Sequence, residues 1–175
     1  VNYFQLFGLA PVFNIDLNAL TQIYQQLQKS VHPDKFAHAS SQEQMLAVQK
    51  SSMINDAYQT LKHPLKRAEY ILVTRGTDMP NEQSSFKDTA FLMRQMELHE
   101  MLAELEHASD IDHAVFEVNQ TLEVEFEQLF KLMQQQLLEE TSQANELACD
   151  NLRKLKFYQK LHVELDRLED TLLEG

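Results

Sequence analysis

The 175 residues contain no tryptophan, one cysteine, three glycines and four prolines. One cysteine excludes an intramolecular disulfide framework, a self-contained zinc finger and a self-held four-thiolate cluster. Cys149 reads as a free thiol of a reducing compartment. No apolar run approaches the roughly 18 residues of a membrane span. No charged segment followed by an apolar one opens the chain, so neither secretion nor membrane insertion is expected. Cations are scarce: 15 Lys and Arg stand against 27 Asp and Glu, a formal net charge of −12. A duplex nucleic-acid reader needs the opposite balance, because cations must displace phosphate counterions. Neither Gly-x-Ser-x-Gly nor a Gly-rich phosphate loop is present, which argues against a nucleophilic hydrolase and against an enzyme that uses ATP itself.

What remains points to helices. Between Asn81 and Glu174 there is neither Gly nor Pro. A sheet protein needs turns every few residues, and turns favour those two residues or Asn. Apolar residues make up 43% of the chain, enough for a core. Charge divides the chain in two. Residues 1–76 carry a net +2, and residues 77–175 carry −14. The division falls at Thr77-Asp-Met-Pro80-Asn-Glu-Gln-Ser-Ser85, the strongest linker composition in the chain. The expectation is an all-α protein with one domain over 1–76, a linker over 77–85 and a second domain over 86–175.

In the first half, Tyr3, Phe4, Leu6, Phe7 and Leu9 form a short apolar opening that stops at Gly8 and Pro11. Asp16 is suited to cap a helix whose stripe is Leu17, Leu20, Ile23, Tyr24, Leu27 and Val31. That helix must end before Pro33. Ser40 with Glu43, and Ser41 with Gln44, match the Ser-x-x-Glu/Gln capping box. Ala47, Val48, Ile54, Ala57, Tyr58 and Leu61 supply the next apolar face. Pro64 opens a further short helix that Gly76 ends. The loop from His32 to Ser40 permits an antiparallel pair with an exposed tip.

His32-Pro33-Asp34 occupies that tip. Read alone, it is an ordinary turn in which Pro fixes φ and Asp caps. In context, the first half resembles the J domain of DnaJ-type co-chaperones. The resemblance is carried by Tyr3-Phe4-Gln5-Leu6-Phe7-Gly8-Leu9, His32-Pro33-Asp34-Lys35-Phe36, Ile54-Asn55-Asp56-Ala57-Tyr58-Gln59-Thr60-Leu61 and Lys66-Arg67-Ala68-Glu69-Tyr70. Four ordered matches across some 70 residues are far more specific than one tripeptide. The resemblance implies that His32, Pro33 and Asp34, flanked by Lys29 and Lys35, contact a DnaK-like chaperone and stimulate its ATP hydrolysis. The second helix departs from the family's basic pattern: it offers Gln22, Gln25, Gln26, Gln28 and a single Lys29. Electrostatic steering should be correspondingly weak, which suits a dedicated partner. The Gly/Phe-rich segment and Cys-x-x-Cys modules of generalist DnaJ proteins are missing.

The second half reads as three helices: from Ser85 or Asp88 to His107, from Ser109 to about Glu139, and from Thr141-Ser142 onward. Ser109 with Asp112 is the expected start of the middle helix. The last helix has its stripe at Leu147, Leu152, Leu155, Tyr158, Leu161, Leu165, Leu168 and Leu172. Short breaks make neighbours antiparallel, hence a three-helix bundle.

The first of these helices has more apolar residues than one stripe needs. At about 100° per residue from Phe91, Leu98, Leu102 and Leu105 fall at about −20°, +20° and −40°. Leu92, Met96 and Met93 fall at about 100°, 140° and 200°, with Glu100 and Glu97 at about 180° and 240°. This second patch is either covered by the rest of the protein or a docking face with a charged rim. Around Phe157 stand Arg153, Lys154, Lys156 and Lys160, the densest basic spot of the acidic half. There Phe157 either folds onto the bundle or projects from it.

The whole chain resembles the HscB family, specialised J-domain co-chaperones of iron–sulfur cluster assembly. Asp88-Thr89-Ala90-Phe91-Leu92-Met93, Glu97-Leu98, Glu100 and Arg153-Lys154-Leu155-Lys156-Phe157 carry the second half of that resemblance. It implies a C-terminal domain that binds an IscU-type scaffold protein and delivers it to an HscA-type chaperone. Matched by position, the scaffold-facing residues are Leu92, Met93, Met96, Glu97, Glu100 and Phe157. It also implies a bacterial cytoplasmic protein with no cofactor, no nucleic acid and no membrane partner, since organellar forms carry a Cys-rich segment ahead of the J domain. One rival is a general J protein for unfolded clients. Another is a di-iron bundle around Glu104-Leu105-Glu106-His107, for which a second good Glu-x-x-His copy is lacking.

Overall fold

The computed structural model describes residues 2–174. Among them are seven α-helices, two short 3-10 turns and no strand. The all-α expectation is met. The chain divides into two compact units, one ending at Thr77 and the other starting at Asp78.

In the first unit, α1 (Tyr3–Leu6) is capped by a reciprocal Asn2–Gln5 box and stops at Gly8, whose φ of +65° suits glycine. Asp16 caps α2 (Leu17–Ser30) by accepting from the Asn18 and Ala19 amides. Ser40 caps α3 (Ser41–Lys62) by accepting from Glu43 N–H at 3.2 Å. Pro64 stands at the first turn of α4 (Pro64–Thr74), where no donor is lost. Leu20, Ile54, Ala57, Leu61, Ala68 and Leu72 are fully enclosed and form the centre of the core. Two expected stripe members are on the outside. Leu17, the first residue of α2, is 46% exposed, and Val48 is 63% exposed at a cleft beside the turn between α2 and α3.

The opening motif is held down by Tyr70. Tyr3 stacks on its ring with centroids 4.6 Å apart, and the Tyr3 N–H donates to the Tyr70 hydroxyl at 2.8 Å. Arg67 is buried beside them in sequence. Its Nε donates to the Phe13 carbonyl at 2.8 Å and a terminal nitrogen to the Leu61 carbonyl at 2.7 Å. Its guanidinium covers the Phe13 ring at 4.7 Å.

The second unit is a three-helix bundle of α5 (Thr89–Ala103), α6 (Ile111–Glu139) and α7 (Ser142–Glu174). A 3-10 turn, Glu104–His107, ends α5 and keeps Leu105 in the core. Asp110, not Ser109, caps α6, accepting from His113 N–H at 3.2 Å. With Ile111 as the first helical residue, Asp110 stands at the capping position and His113 is the third residue of the helix, whose amide the cap accepts from. Glu140, with φ of 55°, and Thr141 make the reversal into α7. Phe91, Leu98, Leu102, Leu122, Tyr158 and Leu161 interlock at the bundle centre. Leu147, expected in the α7 stripe, is 50% exposed, while Ala144, Ala148 and Cys149 face inward instead. Those three residues hold the inner side of this part of α7, and Leu147 lies off it.

Residues 78–86 run along α7. Cys149 Sγ lies 3.5 Å from Met79 Sδ, and Lys156 pairs with Glu82 at 3.6 Å. Arg153 donates to the Ser84 carbonyl and covers the Phe86 ring at 4.4 Å.

Candidate functional site

The first candidate site is the turn between α2 and α3. Val31 ends α2, buried, and His32 follows in an extended conformation that suits the residue before proline. Pro33–Phe36 then form one 3-10 turn, with His32 as its cap. The His32 Nδ1 accepts from the Asp34 N–H at 3.2 Å, and Lys35 N–H donates to the His32 carbonyl at 3.0 Å. The Asp34 carboxylate stands 3.6 Å from the same Nδ1. One nitrogen cannot both accept from the amide and donate to the carboxylate. The two contacts are alternatives for that nitrogen, and both keep the Asp34 and His32 side chains side by side. The Asp34 side chain is 92% exposed and that of His32 59%. Pro33, Lys35 and Lys29 are exposed as well, Lys29 in the last turn of α2 where a cation is favoured. The structure therefore gathers all five sequence-derived residues at one tip.

Neutral polar pairs brace the tip. Gln28 donates to the Ser51 carbonyl at 3.2 Å and accepts from the Ser51 hydroxyl at 2.7 Å. The Gln44 amide donates to the Phe36 carbonyl at 2.9 Å. Tyr24 stacks on Tyr58 with centroids 4.0 Å apart. A cleft of about 840 Å³ opens beside the turn, lined among others by Val31, Pro33, Phe36, Ala47 and Val48.

The second candidate site is the outer side of α5. Asp88 caps this helix by accepting from Phe91 N–H at 3.2 Å. Its other oxygen accepts from Lys154 Nζ at 2.9 Å, which pulls its carboxyl below the usual range, the cap bond to Phe91 adding to the effect. The helix start is thereby pinned to α7. With Phe91, Leu98 and Leu102 buried, the opposite side carries Leu92, Met93 and Met96 at 36, 59 and 66% exposure. Glu97 and Glu100 are exposed beside them. Phe157 is half-buried: its ring meets Phe91, His99 and Tyr158 edge-on at 5.6–5.7 Å. It folds onto the bundle while keeping an edge accessible. His99, at about 80° on the helical wheel, shares its flank of α5 with Leu92. This contact brings Phe157 to the border of the Leu92 patch.

The basic spot around Phe157 is not a cationic patch in three dimensions. Lys154 is nearly enclosed and pairs with Asp88 and Asp150, Lys156 pairs with Glu82, and Arg153 serves Ser84. Each of these three cations is engaged by a neighbour that sequence spacing does not disclose.

A network around Arg94 has no signature in the sequence beyond the Arg94/Glu97 spacing. Arg94 binds both oxygens of Glu125 on α6, each at 2.8 Å, and Glu97 on its own helix at 2.7 Å. The Tyr158 hydroxyl donates to Glu125 at 2.9 Å. Arg94, followed by the Tyr158 hydrogen bond, holds the Glu125 carboxyl below its usual range. The Tyr158 hydroxyl is pushed upward, first by burial and then by the Glu125 carboxylate.

Among the described residues, no group of three or more His, Cys, Asp and Glu is placed to hold a metal ion. Among the same residues, no helix is long and apolar enough to cross a membrane.

Comparison with known proteins covers both units of the chain. Residues 2–70 match the DnaJ domain model, and residues 87–166 match the model described as the HSCB C-terminal oligomerisation domain. The "Co-chaperone protein HscB homolog" of Colwellia psychrerythraea is 62% identical over 99% of both chains. The chain belongs to the HscB co-chaperone family. The HscB homolog of Shewanella frigidimarina is 46% identical over 99% of this chain and 100% of its own. The solved structure of chaperone HscB from Vibrio cholerae superposes with a TM-score of 0.86 at 41% identity, covering 98% of this chain and 99% of its own. Human co-chaperone protein HscB gives a TM-score of 0.85 at 29% identity, over 95% and 81%. The first unit is thus a J domain, and the second is the helical C-terminal domain of HscB proteins.

Proposed function

We propose that this HscB-family chain binds an IscU-type scaffold protein through the outer side of α5 and presents it to an HscA-type, DnaK-like chaperone. The His32-Pro33-Asp34 turn of the J domain then stimulates that chaperone's ATPase. Hydrolysis is chemistry of the chaperone's own site, so the chain acts without a catalytic centre. The product of this cycle is aided assembly and transfer of iron–sulfur clusters, with the clusters as cargo of the scaffold. The bacterial cytoplasm is the expected compartment, supported by the bacterial relatives.

The observation that carries the reading is the pairing of two exposed features that the fold does not need. One is the Asp34 carboxylate, 92% exposed. The other is the Leu92–Met93–Met96 patch, exposed on a helix whose opposite side already fills the core. Each has a physical role. Pro33 stiffens the turn and lowers the entropy lost on docking. Asp34 can accept a bidentate bond from a partner Arg, and His32 can donate or accept. The Met and Leu side chains supply adaptable apolar area, and Glu97 and Glu100 discriminate by charge at its rim.

The test is steady-state ATP hydrolysis by the HscA-type chaperone, with this protein and the scaffold added singly and together. The reading expects strong synergy of the two. Stimulation that ignores the scaffold would make the chain a general J protein for unfolded clients. No stimulation would reduce the His32–Asp34 segment to an ordinary turn.

A further inference from the structure

Arg94 does not belong to the apolar patch, and its partners explain its place. Three of its nitrogens are engaged at 2.7–2.8 Å: two by Glu125 across the helix pair, one by Glu97 within α5. Glu125 is itself held by the enclosed Tyr158. The chain of contacts therefore runs from a rigid core ring, through a carboxylate on α6, to a guanidinium, and ends at a carboxylate on the rim of the patch. Exposure grows along it. The Glu125 side chain is 23% exposed, Arg94 34% and Glu97 56%. An isolated exposed pair three residues apart orders its partners weakly, because two flexible side chains must be fixed for one screened contact. Here the guanidinium is already fixed by a planar, two-bond contact to Glu125, so Glu97 meets an immobile partner.

We propose that Arg94 is a positioning residue for scaffold recognition: anchored by Glu125 and Tyr158, it fixes the Glu97 carboxylate in the orientation that the scaffold reads. Arg94 reaches the partner through Glu97. This rests on the scaffold-binding reading of α5. Its physical content is pre-organisation, in which the freedom of the Glu97 side chain is removed before binding.

The test is a double-substitution cycle, with affinity for an IscU-type scaffold read by calorimetry and thermal unfolding as the control. Arg94→Gln should weaken binding about three- to tenfold, the range expected from re-mobilising one long side chain. Glu97→Gln should weaken it as well, and the double variant no further than Glu97→Gln alone. Additive losses would mean that Arg94 acts independently of Glu97 and would overturn the proposal, as would unchanged affinity in Arg94→Gln. Should Arg94→Gln unfold, Glu125→Gln leaves both α5 residues in place and loosens the anchor. It should weaken binding in wild type and leave the Glu97→Gln variant unaffected. Equal losses in both backgrounds would mark a merely structural role. Leu92→Ala with Met96→Ala separates the two levels. If that pair binds the scaffold normally, the α5 reading fails. If it binds weakly while the cycle is additive, only the Arg94 assignment fails.

Discussion

Arg67 donates to the Phe13 carbonyl across 54 residues and closes the J domain from inside. Together with its bond to the Leu61 carbonyl, it ties the segment ahead of α2 to the end of α3. Burial lowers the affinity of its guanidinium for a proton, yet an Arg stays charged, so the two carbonyls are charge-assisted acceptors. Arg67→Met should cost about 2–4 kcal/mol of J-domain stability, because two charge-assisted bonds inside the core are lost. Urea unfolding followed by circular dichroism checks this. Arg67→Lys should recover part of the loss, since one ammonium reaches one carbonyl.

The exposed tip behaves in the opposite way. Asp34→Asn removes a charge that is almost wholly in water and leaves the 3-10 turn intact. The expected outcome is loss of chaperone stimulation by tenfold or more, with a melting temperature unchanged within about 2 °C. A joint measurement of ATPase stimulation and thermal unfolding decides it. A large fall in melting temperature would assign Asp34 to the fold.

On α5, neighbouring leucines separate the two duties. Leu98→Ala should cost about 2–5 kcal/mol, since that side chain is fully enclosed. Leu92→Ala with Met96→Ala should cost less than about 1 kcal/mol in stability while weakening scaffold binding about tenfold or more. Denaturation and calorimetry on the two variants read both quantities. Unfolding of the Leu92/Met96 pair would make them core residues.

Acid should loosen the Arg94–Glu125 contact. The Glu125 carboxyl is depressed in the folded protein, so its stabilising contribution is complete above the unfolded value of about 4.3 and is lost as pH falls through the folded one. Unfolding midpoints of wild type and Glu125→Gln should therefore differ most at neutral pH and converge below pH 4. A gap that stays constant from pH 7 to pH 3 would contradict the linkage.

The charge-poor α2 gives a further expectation. Gln22, Gln25 and Gln26 are exposed on α2 and carry no charge, so they add nothing to the steering of a charged partner. Association with the chaperone should respond only shallowly to salt between 50 and 300 mM, near what one or two cations produce. Stopped-flow rates across that range measure the slope.

Local signals carried most of what was legible in advance. Asp16, Ser40 and Asp88 are caps because their side chains reach amides two or three residues away, and that reach is written in the sequence. Leu20, Ile54, Leu98 and Leu161 follow helical periodicity into the core. Val48 and Leu147 obey the same spacing and stay outside, because periodicity names a side of a helix and not the width its neighbour covers. The Leu92–Met96 patch was legible for the same geometric reason. The Arg94–Glu125 contact was not: its two ends lie 31 residues apart on different helices, and many Glu residues compete for one Arg in composition. The cations near Phe157 likewise found partners at Glu82, Ser84, Asp88 and Asp150, a result of chain path rather than of local pattern.

The bond from Lys154 to Asp88 spans 66 residues, and it ties the start of α5 to the middle of α7. Because α5 is made before α6 and α7, its apolar inner side has nothing to pack on until that later helix exists. During synthesis the J domain can close as soon as residues through Thr77 are free, since domains fold as units from the N-terminus. The outer side of α5 acquires its fixed shape only after Lys154 has left the ribosome. A nascent or truncated chain thus carries a finished His32–Asp34 turn well before it carries a finished outer side of α5.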